Sequence, residues 1–286
     1  MWRHRLDYLF ISPFYVLFAL FSLFPLGWAL YLSFNRWSGF GDMQWVGLDN
    51  YAAMLRETST FKAVVNSLVF AAAIVPTGVF LALFFAVLLN IRGLAARGVF
   101  RTIYFLPFLT STVIVGIVFT SLLDDTYGWL NGALRAVGLD GVSWLRNVVW
   151  AKVSIITLTH WQGLGYSILI MLGGLQSLPR EVYEAAEIDG AGAWDRFWRI
   201  TLPLMRPVML FVTITGTIGV LNMFEQPYIL TRGGPQYATM TMTYRLYELA
   251  FQTTRYGDGA ALGYLIAVIV ITISLANLYL LRHWRD

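Results

Sequence analysis

The chain has 286 residues, of which 58% are hydrophobic and 13% charged, with a net charge of +4. Soluble domains typically contain about 25% charged residues, so the composition excludes a soluble enzyme or a disordered chain and predicts a polytopic membrane protein. The absence of cysteine and the wide separation of the three histidines exclude a disulfide framework and a thiolate or histidine metal site.

Six uncharged segments are long enough to cross a membrane. A helix needs about 20 apolar residues to cross about 30 Å of hydrocarbon, and every Asp, Glu, Lys and Arg lies outside these segments. We therefore predict an all-α fold with six transmembrane helices in a single domain, 1–286. The predicted spans are Tyr8–Phe34, Ala63–Leu89, Ile103–Leu123, Val153–Leu175, Val208–Phe224 and Gly259–Leu281.

The basic residues predict the orientation of these spans. The connection after the second span carries Arg92, Arg97 and Arg101 without an acidic residue, and Arg3 and Arg285 lie near the termini. Lys and Arg are enriched in cytoplasmic loops, and an even number of spans places both termini on one side. We therefore predict that both termini are cytoplasmic.

The predicted spans contain no charged side chain, whereas proton relays and membrane-embedded hydrolases place ionisable groups at depth. His160, near the outer end of the fourth span, is most simply an interfacial hydrogen-bond donor. Nucleophile-elbow, zinc-protease and phosphate-loop motifs are missing from the sequence. We therefore expect a protein that is not an enzyme, with uphill transport powered from elsewhere. A sodium-coupled carrier remains an alternative, because carbonyls and hydroxyls can bind sodium, and a lipid-modifying membrane enzyme is a third hypothesis.

The connection between the fourth and fifth spans, 177–207, is too long for a simple turn. Pro179 followed by acidic residues predicts the start of a helix, and Gly190 and Gly192 predict its end. A second short helix is predicted to stop at Pro203. The polar face of this hairpin is acidic, which disfavours a position against anionic lipid. We interpret it as a docking element for a cytoplasmic partner.

This hairpin carries a pattern that resembles a known family. Glu184-Ala185-Ala186, then Gly190, then Ile200 and Leu202-Pro203 resemble the EAA motif of binding-protein-dependent ATP-binding-cassette importer permeases. Other stretches resemble the carbohydrate-uptake branch, with its maltose-type and glycerol-3-phosphate-type permeases, and the likeness covers nearly the whole chain. These stretches are Leu30–Trp37, Trp45–Tyr51, Tyr228–Pro235 and Tyr256–Ala261.

The resemblance implies a type I importer permease in a prokaryotic cell membrane. Its implied partners are a second permease in a heterodimer, two cytoplasmic ATPase subunits and an extracytoplasmic sugar-binding protein. ATP and Mg would be bound by the ATPase, and we expect no cofactor on this chain. The hairpin would be the coupling helix, with Glu184 and Gly190 as its most sensitive residues and Asp189 and Arg199 as weaker candidates. The residues assigned to ATPase coupling are Glu184, Ala185, Ala186, Asp189, Gly190, Ile200, Leu202 and Pro203.

Two clusters of aromatic, amide and glycine residues could meet a sugar, one within His160–Tyr166 and one within Gly219–Gln226. In maltose-type permeases the solute site lies between the corresponding helices. Packing or belt roles stay open for the aromatic residues, and the partner permease is the alternative location of the site. The external loop Thr231–Pro235 is implied to face the binding protein. The residues assigned to the substrate pathway are Trp161, Gly163, Tyr166, Asn222 and Phe224.

Overall fold

The computed structural model describes residues 5–91 and 97–282, which form mainly helices. Within this part of the chain one short antiparallel pair joins β1 (Asn35–Arg36) to β2 (Gln44–Trp45). Arg3, Arg92 and Arg285, which contribute to the predicted orientation, lie outside the described residues. The helices are α1 (Arg5–Phe18), α2 (Phe24–Ser33), α3 (Asp49–Arg56), α4 (Thr58–Leu89), α5 (Arg97–Phe105), α6 (Thr112–Leu122), α7 (Trp129–Ala136), α8 (Val148–Gln176), α9 (Arg180–Ile188), α10 (Ala193–Arg196), α11 (Leu202–Leu221), α12 (Glu225–Leu230), α13 (Met242–Tyr247) and α14 (Tyr256–Arg282).

Five helical stretches of the described chain are long and apolar enough to cross a membrane, and one bent pair would make a sixth. Helices suit such segments because each backbone polar group finds its partner within the segment, where no water is available. The first stretch joins α1 to α2 through a π-helical turn at Ala19–Leu23. The five stretches are Tyr8–Ser33, Thr58–Leu89, Val148–Gln176, Ala193–Leu230 and Tyr256–Tyr279.

The bent pair corrects the prediction of one helix over Ile103–Leu123. α5 runs into a 3-10 turn at Leu106–Leu109, and α6 follows with its axis turned by 96°. Pro107 lies in this turn and cannot donate a helical hydrogen bond, and Thr110 is extended, with ψ at 149°. Apolar length therefore identified residues suited to a membrane but not the direction of their backbone.

The predicted end of the second hairpin helix at Pro203 is also wrong. α10 continues through a π-helical turn, Phe197–Thr201, directly into α11. The N–H of Leu202 bonds the carbonyl of Phe197, five residues earlier, so the hydrogen-bond register shifts just before the proline. Pro203 then occupies the first turn of α11, where a missing N–H is tolerated. The second arm of the hairpin and α11 therefore form one continuous helical stretch, Ala193–Leu230.

The chain divides into two compact units. The first consists of Met1–Phe61 with Arg245–Val268, and the second of Lys62–Tyr244 with Ile269–Asp286.

Buried polar contacts organise the first unit around the end of α2. The amide of the buried Asn50 donates hydrogen bonds to the carbonyl oxygens of Ser33, at 2.8 Å, and Asn35, at 2.9 Å. Gly257 lies so close to the carbonyl oxygen of Asn35 that a Cβ at this position would collide with it. The glycine thus permits backbone contact between the start of α14 and the segment after α2.

A cluster of charges also belongs to the first unit. Arg245, with 8% of its side chain exposed, pairs with Glu57 at 2.7 Å and with Glu248, and Arg255 lies 3.5 Å from Glu57. Burial opposes ionisation of Glu57, but the hydrogen bond and charge of Arg245, together with Arg255, hold the pKa of its carboxyl below the ordinary value. Burial opposes the charge of Arg245, but the hydrogen bonds that its guanidinium donates to Glu248 and Glu57 outweigh this and raise its pKa. Glu57 and Arg245 are therefore charged at neutral pH.

Two apolar clusters occupy different levels of the second unit along α4, α8 and α11. Burial of such side chains against one another gives helices in a membrane their close packing. The first cluster comprises Ala82, Leu83, Ala86, Leu89, Ile168, Met171, Leu172, Leu175, Met205 and Val212. The second cluster comprises Phe70, Ile74, Val115, Leu123, Ile155, Leu158, Val220, Met223 and Leu230.

Candidate solute cavity and coupling hairpin

A cavity of about 410 Å³ lies in the second unit, between the levels of the two apolar clusters. Its wall includes four residues of α4 between positions 74 and 79, seven of α8 between 159 and 167, and five of α11 between 212 and 220. Each of these three helices joins the first cluster on one side of the cavity and the second cluster on the other. Tightly packed apolar side chains therefore bound the cavity in both directions along the helices.

The cavity wall is mostly apolar, and its polar side chains are uncharged. The described residues that line it include no Asp, Glu, Lys or Arg. The rings of Phe108 and Tyr166 stack in this wall, with centroids 5.1 Å apart and planes inclined by 22°. Hydroxyls and amides can bond the hydroxyls of a sugar while an aromatic ring covers its C–H surface. The polar side chains of the wall are those of Thr110, Thr112, Thr159, His160, Gln162, Ser167, Thr215 and Gln226, with the Tyr166 hydroxyl.

His160 has a specific partner in this wall. Its Nε2 lies 2.9 Å from Oγ1 of Thr77 on α4. Gly78 packs beside the imidazole, where a Cβ would lie 3.5 Å from Cε1. This bond joins α8 to α4 at the edge of the cavity, and the interfacial donor role of His160 remains a prediction.

Of the predicted pathway residues, Gly163 and Tyr166 line the cavity. No described atom would lie within 4 Å of a Cβ at Gly163, so this glycine leaves open space in the wall. Trp161 is 46% exposed, and its ring packs 5.6 Å from that of Phe119, away from the lining residues. A helix turns by about 100° per residue, which explains why neighbouring positions on α8 face different surroundings.

Asn222 and Phe224 are also absent from the described lining. Asn222 caps α11 and donates its amide hydrogen to the carbonyl oxygen of Ile218 at 2.8 Å. The ring of Phe224 stacks on Tyr228 with centroids 5.1 Å apart. The pathway roles of Trp161, Asn222 and Phe224 remain predictions.

Sequence reasoning missed the contribution of the bent pair α5–α6, predicted as the third span, to the cavity. Phe108, Thr110 and Thr112 enter the wall because the chain leaves helical geometry between α5 and α6. Pro107 followed by a run of three hydroxyl residues in an otherwise apolar segment was the available signal.

The turn of the coupling hairpin has the geometry that its glycine predicts. α9 starts directly after Pro179, as expected, and ends before Gly190, whose φ is +80°. The N–H of Ala191 bonds the carbonyl of Ala186 at 2.8 Å, and the N–H of Gly190 bonds that of Glu187 at 3.1 Å. This is a Schellman motif, in which glycine avoids the strain of a left-handed backbone.

The first half of the EAA pattern, on α9, is exposed at the surface of the chain. α9 has no buried residue, and Glu184, Ala185, Asp189 and Gly190 are exposed. The apolar side chain of Ile188, at the end of the helix, is 87% exposed. An isolated helix of this length is marginal in water, so an outward face with these small and apolar residues is suited to contact with another surface.

The other half of the pattern connects the hairpin to α11. Ile200, Leu202 and Pro203 are half-buried in the π turn and the start of α11. Leu202 packs against the first apolar cluster. These residues therefore connect the exposed motif to the core of the second unit.

Polar contacts hold the two arms of the hairpin together. The hydroxyls of Tyr183 and Thr201 are 2.8 Å apart, and Glu187 pairs with Arg196 at 3.0 Å. The arms can therefore move together with α11.

Residues 51–282 match the family described as binding-protein-dependent transport system inner membrane component, and the chain belongs to this family. It is 36% identical over 281 residues to the lactose transport system permease protein of Rhizobium radiobacter, covering 96% of this chain and 93% of that protein. It is 32% identical over 283 residues to the trehalose/maltose transport system permease protein of Thermococcus litoralis, covering 99% and 95%. A solved bacterial ABC transporter chain involved in import of the acidic polysaccharide alginate matches with a TM-score of 0.86 and 25% identity, covering 99% and 97%.

These similarities confirm the resemblance found in the sequence. The chain is a carbohydrate ABC importer permease, a multi-pass protein of the prokaryotic plasma membrane. It is not itself an enzyme, because proteins of this kind rely on a partner subunit for ATP hydrolysis.

Proposed function

We propose that this chain forms one half of the solute pathway of an ATP-driven importer of neutral carbohydrates. The observation that carries the proposal is the uncharged cavity with a stacked aromatic wall, bounded by α11, the helix that continues into the exposed hairpin. Binding sites near the middle of spanning helices are typical of transporters that open alternately to the two sides.

The chemistry of the cavity favours a neutral solute. Burial of a carboxylate in an apolar environment is costly unless a cation or several donors pair with it. The solved relative imports an acidic polysaccharide, whereas the described wall of this cavity offers no cationic side chain. Relatives with lactose and with trehalose or maltose in their names transport uncharged sugars, which supports the same conclusion.

The hairpin is proposed to dock on a cytoplasmic ATPase through α9. The exposure of Glu184 and Ala185, the rigid turn at Gly190 and the helical connection to α11 support this role. Movement of the ATPase would then displace α11, which forms part of the cavity wall.

The complete transporter is proposed to contain a second permease as a heterodimer partner, two ATPase subunits that bind ATP and Mg, and an extracytoplasmic sugar-binding protein. The family description supports the dependence on a binding protein. In this arrangement the chain has six spans and cytoplasmic termini, carries no cofactor and presents its 231–235 loop to the binding protein.

Reconstitution in proteoliposomes tests the proposal. We expect no uptake of radiolabelled lactose, maltose or arabinooligosaccharides by the chain alone. Uptake of at least one of these sugars should require ATP, the second permease, the ATPase and the binding protein together, and alginate-derived oligosaccharides should not be carried. Sodium-driven uptake by the chain alone would instead establish the alternative, a secondary carrier.

A further inference from the structure

The break between α5 and α6 leaves a polar backbone group that needs a partner. Thr110 follows the 3-10 turn in extended conformation, so its carbonyl cannot join a regular helical ladder. An unpaired backbone carbonyl is costly away from water, and most of all in hydrocarbon. Because Thr110 also lines the cavity, the group that satisfies this carbonyl fixes part of the cavity wall.

Gln162 of α8 provides that partner. Its Nε2 donates to the carbonyl oxygen of Thr110 at 3.1 Å and to Oγ1 of Thr112 at 3.0 Å. A carbonyl oxygen only accepts hydrogen bonds, so the amide nitrogen must face Thr110, and this fixes the orientation of the amide. Gln162 is 8% exposed and itself lines the cavity, so one side chain contacts both the solute space and the break.

The same face of α8 holds the break at two further points. Tyr166 stacks on Phe108, which lies in the 3-10 turn. Gly165 lies so close to the carbonyl oxygen of Tyr104 that a Cβ would collide with it. Residues three and four apart lie on one side of a helix. The contact surface of α8 for the bent pair α5–α6 is therefore continuous and consists of Gln162, Gly165 and Tyr166.

We propose that Gln162 is a positioning residue that clamps the break of the third span and thereby sets the wall of the solute cavity. Its amide joins the two sides of the 96° bend, because Thr110 belongs to the end of the 3-10 turn and Thr112 begins α6. The consequence for transport rests on the proposed function, whereas the clamp itself is a property of the chain that can be measured without a sugar.

Spin labels across the bend measure the clamp directly. The chain has no cysteine, so Val99→Cys and Ser121→Cys, at exposed positions of α5 and α6, introduce the only thiols. At about 1.5 Å per residue the two positions would lie about 33 Å apart in a straight helix. Two helical segments of about 17 and 16 Å that meet at the 96° bend place them about 22 Å apart. Pulsed electron paramagnetic resonance on the purified, lipid-reconstituted chain resolves this difference.

Substitution of Gln162 should release the bend. Gln162→Met retains length but loses both donors, and Gln162→Glu has an oxygen that the Thr110 carbonyl repels. We expect both to broaden the short-distance population and shift it toward longer distances. Gln162→His, whose Nε2–H can donate from a similar reach, should restore the short distance. Thr112→Val should have a smaller effect, because the bond to the Thr110 carbonyl persists.

Thr120→Val is the matched control, since the Thr120 hydroxyl bonds only the carbonyl of Gly116 within α6 among the described residues. An unchanged narrow distance in Gln162→Met and Gln162→Glu, or equal broadening in Thr120→Val, would overturn the clamp. If Gln162→Met is not recovered in membranes, the comparison of Thr112→Val with Thr120→Val still decides the question. Uptake assays on the complete complex report separately on the proposed function, because the spin-label distances do not depend on transport.

Discussion

Gly190→Val tests whether the turn of the coupling hairpin must adopt the left-handed conformation. The φ of +80° is unfavourable for a residue with a Cβ and most unfavourable for a β-branched one. No described atom lies within 4 Å of a Cβ at this position, so the expected effect comes from the backbone conformation and not from a collision.

The expected cost is about 1–2 kcal/mol, the penalty of a left-handed conformation for an L-residue. This corresponds to about a 5- to 30-fold decrease in the population of chains whose hairpin has the observed turn. If that conformation docks on the ATPase, the sugar-stimulated ATPase activity of the reconstituted complex should fall to a similar extent or be abolished. Membrane insertion should be retained, because α9 contributes no buried residue.

Two further variants separate the conformational effect from other causes. Gly190→Asn should be milder, because asparagine adopts the left-handed conformation more readily than valine. Gly192→Val is the matched control, since the φ of −67° and ψ of 167° at Gly192 are acceptable for valine. Normal ATPase coupling in Gly190→Val, or equal damage in Gly192→Val, would refute the reasoning.

Three other changes have distinct expected outcomes. Glu184→Lys should abolish sugar-stimulated ATP hydrolysis in the reconstituted complex. Glu181→Lys, an equal charge change on the same exposed helix, should leave most of this activity. Equal loss of activity in both variants would contradict a specific contact at Glu184. Tyr166→Ala should raise the KM for uptake about 2- to 13-fold, because stacking on an aromatic face contributes about 0.5–1.5 kcal/mol; an unchanged KM would place the solute elsewhere. Arg245→Met should lower the thermal unfolding temperature at pH 7 by leaving Glu57 without its main partner. Because the pKa of Glu57 lies below its ordinary 4.5, its stabilising contribution is present above pH 4.5 and is lost as the pH falls through the lowered pKa. Unfolding temperatures measured from pH 7 down to about pH 3 should therefore decline less in Arg245→Met than in the parent chain.

The elements that depend on local sequence were predictable. Runs without charge mark the segments suited to a membrane, since the cost of a buried charge acts on each residue separately. The start of α9 at Pro179 and the turn at Gly190 follow from the conformational limits of proline and glycine. The EAA pattern also indicated the family that the comparison with known proteins confirms.

It was less predictable where a helix continues and where it bends, because prolines at different positions have different effects on the helix. Pro203 is accommodated in the first turn of α11 after a shift of hydrogen-bond register, whereas Pro107 accompanies a 96° bend. At Pro203 the π turn before the proline keeps the helix continuous. At the bend the carbonyl of Thr110 leaves the helical ladder and bonds Gln162, which lies 52 residues further along the chain.

The sequence by itself determined the membrane-suited segments, the hairpin turn and the types of side chain available for a sugar, because each depends on a residue and its near neighbours. Only the tertiary structure decided that Gly163 and Tyr166 face the cavity while Trp161 packs against Phe119. It also brought Phe108 and Thr110 into the wall. The physical reason is that a cavity forms where distant helices fail to fill the space between them, and that space depends on the packing of all of them together.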